Sequence, residues 1–138
     1  MTLHLIKMAV GVTDLDHLIE LRRKRRAREG DGPCCIRTRN MPRRGAEILD
    51  GGSIYWVIKG LTRVRQRVLG LRADTDEEGE RCCVLELDHL LVPTEPQPQR
   101  PFQGWRYLDA DDAPADRPGG GDDLPLALVR ELRALGLL

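Results

Sequence analysis

The sequence predicts an α+β fold: a curved, mainly antiparallel sheet or small pseudo-barrel with an N-terminal helix, a short helix before a central hairpin and a C-terminal helix. Three observations carry this. Within residues 48–71, ILDGGSIYWVIKGLTRVRQRVLGL, the Gly51-Gly52 pair opens a turn and the β-branched and aromatic run 53–58 favours a pleated strand. After Gly60, Leu61, Arg63, Arg65 and Arg67 alternate against Thr62, Val64, Gln66 and Val68, a period of two that puts three guanidiniums on one strand face. Finally, apolar residues recur at helical spacing near both ends of the chain, at Leu15, Leu18 and Ile19 and at Leu128, Val129, Leu132 and Leu135.

Taken in order, residues 3–12 alternate through Leu3, Leu5, Met8 and Val10 as a first strand ending at Gly11. Thr13 or Asp14 starts the first helix, because either side chain can accept from the unpaired amides of a first turn. Its apolar stripe, with the stem of Arg22 next in line, gives way to the basic run 22–28. A basic helix end is favoured by the macrodipole and is equally a place for a nucleic-acid contact. Turn residues at 29–33 lead to a strand over 34–40, which Pro42 stops. Residues 43–49 make about two helical turns with a glycine cap at 51–52, and the hairpin follows. An acidic connection at 74–80 precedes a strand at 81–87. The prolines at 93, 96, 98 and 101 supply no amide donor, so residues 94–101 are expected outside the sheet as an extended surface strap. The strap delivers Trp105 and Tyr107 to one face of a short strand, with Arg106 pointing away. An acidic, glycine-rich loop over 109–123 and a helix over 124–136 complete the chain.

With 138 residues and 41% apolar content the chain is sized for one domain. Its net charge of zero is unevenly spread: residues 1–72 hold 16 Lys or Arg against 7 acids, and residues 73–138 hold 6 against 15. Such asymmetry implies either a polyanion-facing surface or self-complementarity across the fold. The cysteines form two vicinal pairs, Cys34-Cys35 and Cys82-Cys83. Neighbours on a strand point to opposite faces, so neither pair suits a bridge or a shared metal; free thiols and no zinc are expected. The apolar run at the N-terminus is too short for a membrane span and carries Lys7, which points to a cytoplasmic protein without a membrane role.

No catalytic signature stands out. His4, His17 and His89 are scattered and none sits beside a Ser or Cys nucleophile, while the acids of 109–123 lack the apolar burial that would raise a carboxyl pKa. The stretch 74–80 lacks the ligand spacing of a calcium loop. The glycines at 119–121 lack the strand and the Lys-Ser or Lys-Thr pair of a phosphate loop. No cofactor and no metal are expected, and an enzyme remains only as a site that sequence does not display.

Guanidinium forks suit phosphates and rings accept unstacked bases, so the expected site is a cationic patch of Arg39, Lys59, Arg63 and Arg65 flanked by Trp105, Arg106 and Tyr107, receiving RNA. Two other readings stay open: the rings close one end of the core, or the chain is a non-catalytic protein-interaction subunit of a larger cytoplasmic assembly.

The segments LHLIKMAVGV (3–12), PRRGAEILDGGSIYWVIKG (42–60), RVRQRVLGL (63–71), VPTEPQPQRPFQGWRYLDADDAPAD (92–116) and RELRALGLL (130–138) resemble an alphaproteobacterial family of uncharacterised proteins. The resemblance spans nearly the whole chain, with GGSIYWVIKG and RPFQGWRYL its most specific motifs, and implies no activity. The element order is also similar to small RNA-binding pseudo-barrels of the kind associated with pseudouridine synthases, an analogy of fold alone.

Overall fold

The computed structural model describes residues 2–117, running β1 (Leu3–Met8), α1 (Leu15–Glu29), β2 (Cys34–Thr38), α2 (Gly45–Leu49), β3 (Ser53–Ile58), β4 (Leu61–Thr75), β5 (Arg81–Leu87), β6 (Val92–Pro98) and β7 (Trp105–Asp109). The helix expected over 124–136 and the glycines at 119–121 lie outside the described residues. The strands form one mixed, open sheet in the order β2-β5-β4-β3-β1-β7, with β6 on β4. Only β1 and β3 run parallel; the other five pairings are antiparallel.

The hairpin forms as its sequence demands. Lys59 and Gly60 take φ of 47° and 81°, the two left-handed residues of a type I′ turn, whose twist matches the strands it joins. All six residues of β3 are buried, so the strand has two apolar faces. On the inner face Ile54, Trp56 and Ile58 join Leu3 and Leu5 of β1, Leu15 and Leu18 of α1, Ile48 of α2, Val64 and Val68 of β4, and Leu85 and Leu87 of β5. On the outer face Tyr55 and Val57 meet Ile6, with Met8, Phe102 and Leu108 around them.

Asp14 caps α1, its carboxylate accepting the His17 amide at 2.7 Å. The apolar stripe is shorter than its spacing implies, since Ile19 is 44% exposed. The next inward position, one turn after Leu18, is Arg22, whose guanidinium lies 5.3 Å from the centre of the Trp56 ring.

β4 departs from plain alternation. It shifts register at Arg63 against β3 and at Leu69 against β5, each an extra residue in the longer strand. Leu61 consequently faces Ile58 and Thr62 faces Val57, so Leu61 leaves the arginine face on which alternation placed it. At the second bulge the strand passes from β3 and β6 to β5. The bulge also lets both Val68 and Leu71, three residues apart, face β5 leucines, Leu87 and Leu85.

The proline segment is a correction. Residues 92–98 form an edge strand paired with Leu61 through Arg65 of β4, not a strap outside the sheet. An edge tolerates prolines because their missing amide faces no partner that requires it, and the pairing skips where three residues, 94–96, oppose Arg63 alone. The segment's remaining amides find other acceptors, Glu95 N–H to Ala115 O (2.8 Å) and Gln99 N–H to Gly60 O (2.8 Å), and Pro93 O accepts from Arg117 N–H (2.8 Å). These bonds lay residues 113–117 over the outer face.

Candidate functional site

The register of the central strands places side chains on the outer face in rows. One row runs Arg106, Ile6, Tyr55 and Arg65 across β7, β1, β3 and β4. The next contains Leu108, His4, Ser53 and Arg67. His4, Ser53, Tyr55, Arg65 and Arg67 of these rows, with Gly51, Ala110 and residues 113–116, line a solvent-open cleft of about 410 Å³, while Arg106 lies outside it with its guanidinium over the Phe102 ring.

Each group is held by its neighbours. Arg65 donates to both Asp116 oxygens, at 2.7 and 2.8 Å, and through its third nitrogen to Ser53 Oγ at 3.0 Å. That fork raises the Arg65 pKa and holds the Asp116 carboxyl below its usual range. The Ser53 amide donates to His4 Nδ1 at 3.0 Å, which in the neutral ring leaves the proton on Nε2. Burial, and then the charge of Arg65, push the His4 pKa down, so the ring is neutral at physiological pH. Burial raises the Tyr55 phenol and keeps it protonated. At neutral pH the cleft therefore presents two guanidiniums, one carboxylate, a neutral imidazole and a phenol. Arg65 is already engaged by Asp116 and Ser53, and Arg67 is the cleft guanidinium that makes no ion pair among the described residues.

The turn beneath the cleft is fixed by Gly52. A Cβ there would lie 2.2 Å from the Leu3 carbonyl oxygen and 2.4 Å from that of Ile48, so only glycine fits. Its carbonyl accepts the Val68 amide at 3.0 Å, which ties the start of β3 to β4.

Of the seven residues expected to form one patch, the fold brings Arg65 and Arg106 into a single outer row. Arg63 is the bulge residue and is 8% exposed. Lys59 stands exposed at the hairpin tip. Arg39 lies just beyond β2, bound to Asp76 (3.2 Å), Glu80 (3.3 Å) and the Arg81 carbonyl (3.4 Å). Trp105 and Tyr107 project from the opposite, inner face, their rings 5.0 Å apart edge to face. The Trp105 indole N–H donates to Asn40 O at 2.8 Å, and Tyr107 Oη accepts the Arg44 amide at 3.2 Å beneath the Arg44 guanidinium. The sheet thus stands between the rings and the arginine row.

Reading the sequence set Arg67 on the same strand face as Arg65 but missed His4, Ser53, Tyr55 and Asp116 as its neighbours. Alternation within 53–58 and 3–8 marks which of them share a face. Only the parallel pairing of β1 with β3, which no local pattern signals, shows that the two faces are one.

Part of the charge asymmetry is met within the fold. Arg37 pairs with Asp74, Arg39 with Asp76 and Glu80, and Arg65 with Asp116, each joining the basic half to the acidic half. The four cysteines are free thiols, with Cys34, Cys82 and Cys83 buried. Among the described residues no helix is long and apolar enough to cross a membrane.

Among the described residues these features define a small α+β protein with a mixed seven-stranded sheet, helices on its inner face and an open polar cleft on its outer face. The chain belongs to the family described as Protein of unknown function (DUF1489), whose model matches residues 5–138. No curated protein and no solved structure matches it.

Proposed function

We propose that the chain is a non-catalytic RNA-binding module that takes a phosphate-bearing strand along the outer face at Arg65, Arg67 and Arg106. The observation that carries this is the row structure, which sets Arg65 and Arg67 beside Tyr55 and His4 in an open cleft and Arg106 further along the same outer face. Arg67 and Arg106 are exposed, and neither makes an ion pair among the described residues, so their charge is available to a polyanion. Lys59 and Arg63 extend the same hairpin towards its tip. Trp105 and Tyr107 serve this reading by fastening β7, and with it Arg106. Their bonds to Asn40 and Arg44 set the chain leaving one edge strand against the other edge strand, which supports the analogy with RNA-binding pseudo-barrels.

Fluorescence anisotropy with a labelled pool of single-stranded RNA at low salt tests the reading. Arg67→Glu with Arg106→Glu is expected to abolish binding with an unchanged melting curve. Asp116→Asn, which frees Arg65, is expected to tighten it. Wild-type affinity should fall steeply with salt, as phosphate neutralisation requires. If no RNA is retained by the wild type at low salt, the reading fails. The interaction-subunit reading then gains, favoured by the internal pairing of Arg37, Arg39 and Arg65 and by the exposure of Leu69 and Leu90.

A further inference from the structure

A second cleft, of about 610 Å³, lies on the other side of the sheet between α1 and residues 88–91. Arg22, whose guanidinium lies over the Trp56 ring, is among the residues that line it. Arg22 makes no hydrogen bond and no ion pair among the described residues, and its Nε is fully shielded from solvent without a partner. A half-buried guanidinium with no acceptor is costly, and ring contact with Trp56 offsets only part of that cost. Burial, with the nearby charge of Arg25 adding to it and Cys34 opposing it, depresses its pKa. The other arginines nearby are satisfied: Arg23 forks onto Glu20, and Arg25 reaches the Cys35 carbonyl. Arg26, one turn beyond Arg22 on the same helix side, has only a 3.4 Å contact with the almost fully exposed Asp31.

The facing wall is built without a ligand. The Trp56 indole donates to Gln66 Oε1 (2.9 Å), and Gln66 Nε2 donates to Asp88 O (2.9 Å). The Asp88 carboxylate is turned back onto the Leu90 amide at 3.1 Å, and His89 Nε2 contacts the Gly32 carbonyl. Leu90, 66% exposed, and Ile19, 44% exposed, stand on opposite sides of the opening. Large apolar side chains left bare on both walls, above an arginine without an acceptor, match a ligand with an apolar body and a negative end.

We propose that this cleft binds a small amphipathic anion, its carboxylate or phosphate held by Arg22 and Arg26 and its apolar body lying between Ile19 and Leu90. The site is independent of the RNA reading, because it uses the opposite face of the sheet and shares none of the outer-face arginines.

Isothermal titration with monomeric decanoate, decyl phosphate, inorganic phosphate and decanol tests it. Decanoate or decyl phosphate should bind, with inorganic phosphate and decanol weaker by at least about tenfold, since each lacks one half of the recognition. Arg22→Met keeps an unbranched stem on Trp56 and removes the charge. It should weaken the anionic probe by about ten- to hundredfold while the melting temperature holds or rises, because a half-buried cation with a shielded, unpartnered Nε has gone. Should Arg22→Met not fold, Arg26→Met, altered at a half-exposed side chain, must still weaken binding of the same probe. The proposal is overturned if decanol binds as well as decanoate, if neither anionic probe binds, or if these variants leave binding unchanged. It is also overturned if the protein sediments with anionic phospholipid vesicles while the monomeric probes fail.

Discussion

The indole N–H of Trp105 donates to the carbonyl of Asn40 at 2.8 Å, joining β7 to the chain that has just left β2. Those strands stand at opposite ends of the strand order, so a single side chain spans the two edges of the sheet. Trp105→Phe deletes the bond and keeps most of the packing, and is expected to cost about 1 kcal/mol. Trp105→Ala loses the ring as well; since the ring is only partly buried, about 3 kcal/mol is expected, the low end for an aromatic truncation. Urea midpoints of the two variants check both figures, and equal losses would show that the bond outweighs the ring.

Gly52→Ala is expected to prevent folding or to cost more than about 4 kcal/mol, because the new methyl meets two backbone carbonyls that cannot move independently. Gly51→Ala, with φ of 85° and only an ordinary 3.9 Å contact between the new methyl and the Thr2 hydroxyl, is expected to cost only about 1 kcal/mol. Thermal melts followed by circular dichroism separate the two. A Gly52→Ala protein that melts like wild type would contradict the close approach.

Gln66 is wholly buried between the Trp56 indole and the Asp88 carbonyl. Gln66→Leu fills the space but orphans a donor and an acceptor, each worth about 1–3 kcal/mol when buried. A loss of several kcal/mol in chemical denaturation is expected, with increased hydrogen exchange at residues 88–91.

Acid should weaken the fold in two separable limbs. The folded-state pKa of His4 is below the ordinary 6.5, so between the two values the unfolded chain binds the extra proton and stability falls as pH drops. The folded-state pKa of Asp116 is also lowered, from 3.8, so its pairing with Arg65 stabilises above that pH and is lost as pH falls through the folded value. The carboxylate is half exposed, so the second limb should be shallow. Melting temperatures measured from pH 8 to pH 3 should show both limbs, and His4→Gln should flatten the first alone.

Local chemistry made much of the fold legible. Thr13 or Asp14 marked the start of α1, Gly60 the hairpin turn and 53–58 a strand, because caps, glycine turns and β-branched runs act over a few residues. Prolines 93, 96 and 98 misled, because proline bars a central strand and the sequence does not say that this strand is an edge. The bulge at Arg63 was hidden for a related reason: an extra residue is defined only by the partner strand it fails to match. The site was half legible. Arg65 was visible as part of an alternating cationic face, but its partners come from β1, β3 and residue 116, joined by long-range pairing. Arg22 was legible only as a stem continuing an apolar stripe, and its missing acceptor is a property of three dimensions.

The place of β1 has a consequence for how the chain reaches this state. β1 lies between β3 and β7, paired with Ile54 on one side and with Asp109, near the end of the described chain, on the other. The meander of β3, β4 and β5 closes through short connections and can zip early, whereas β1 has no neighbour of its own until that meander exists. Translation therefore releases the N-terminal strand first and seats it among the last, with Leu3, Leu5 and Ile6 bare in the interval. Refolding should be slow for a chain of this size, and aggregation during synthesis should be most sensitive to substitutions at those three positions.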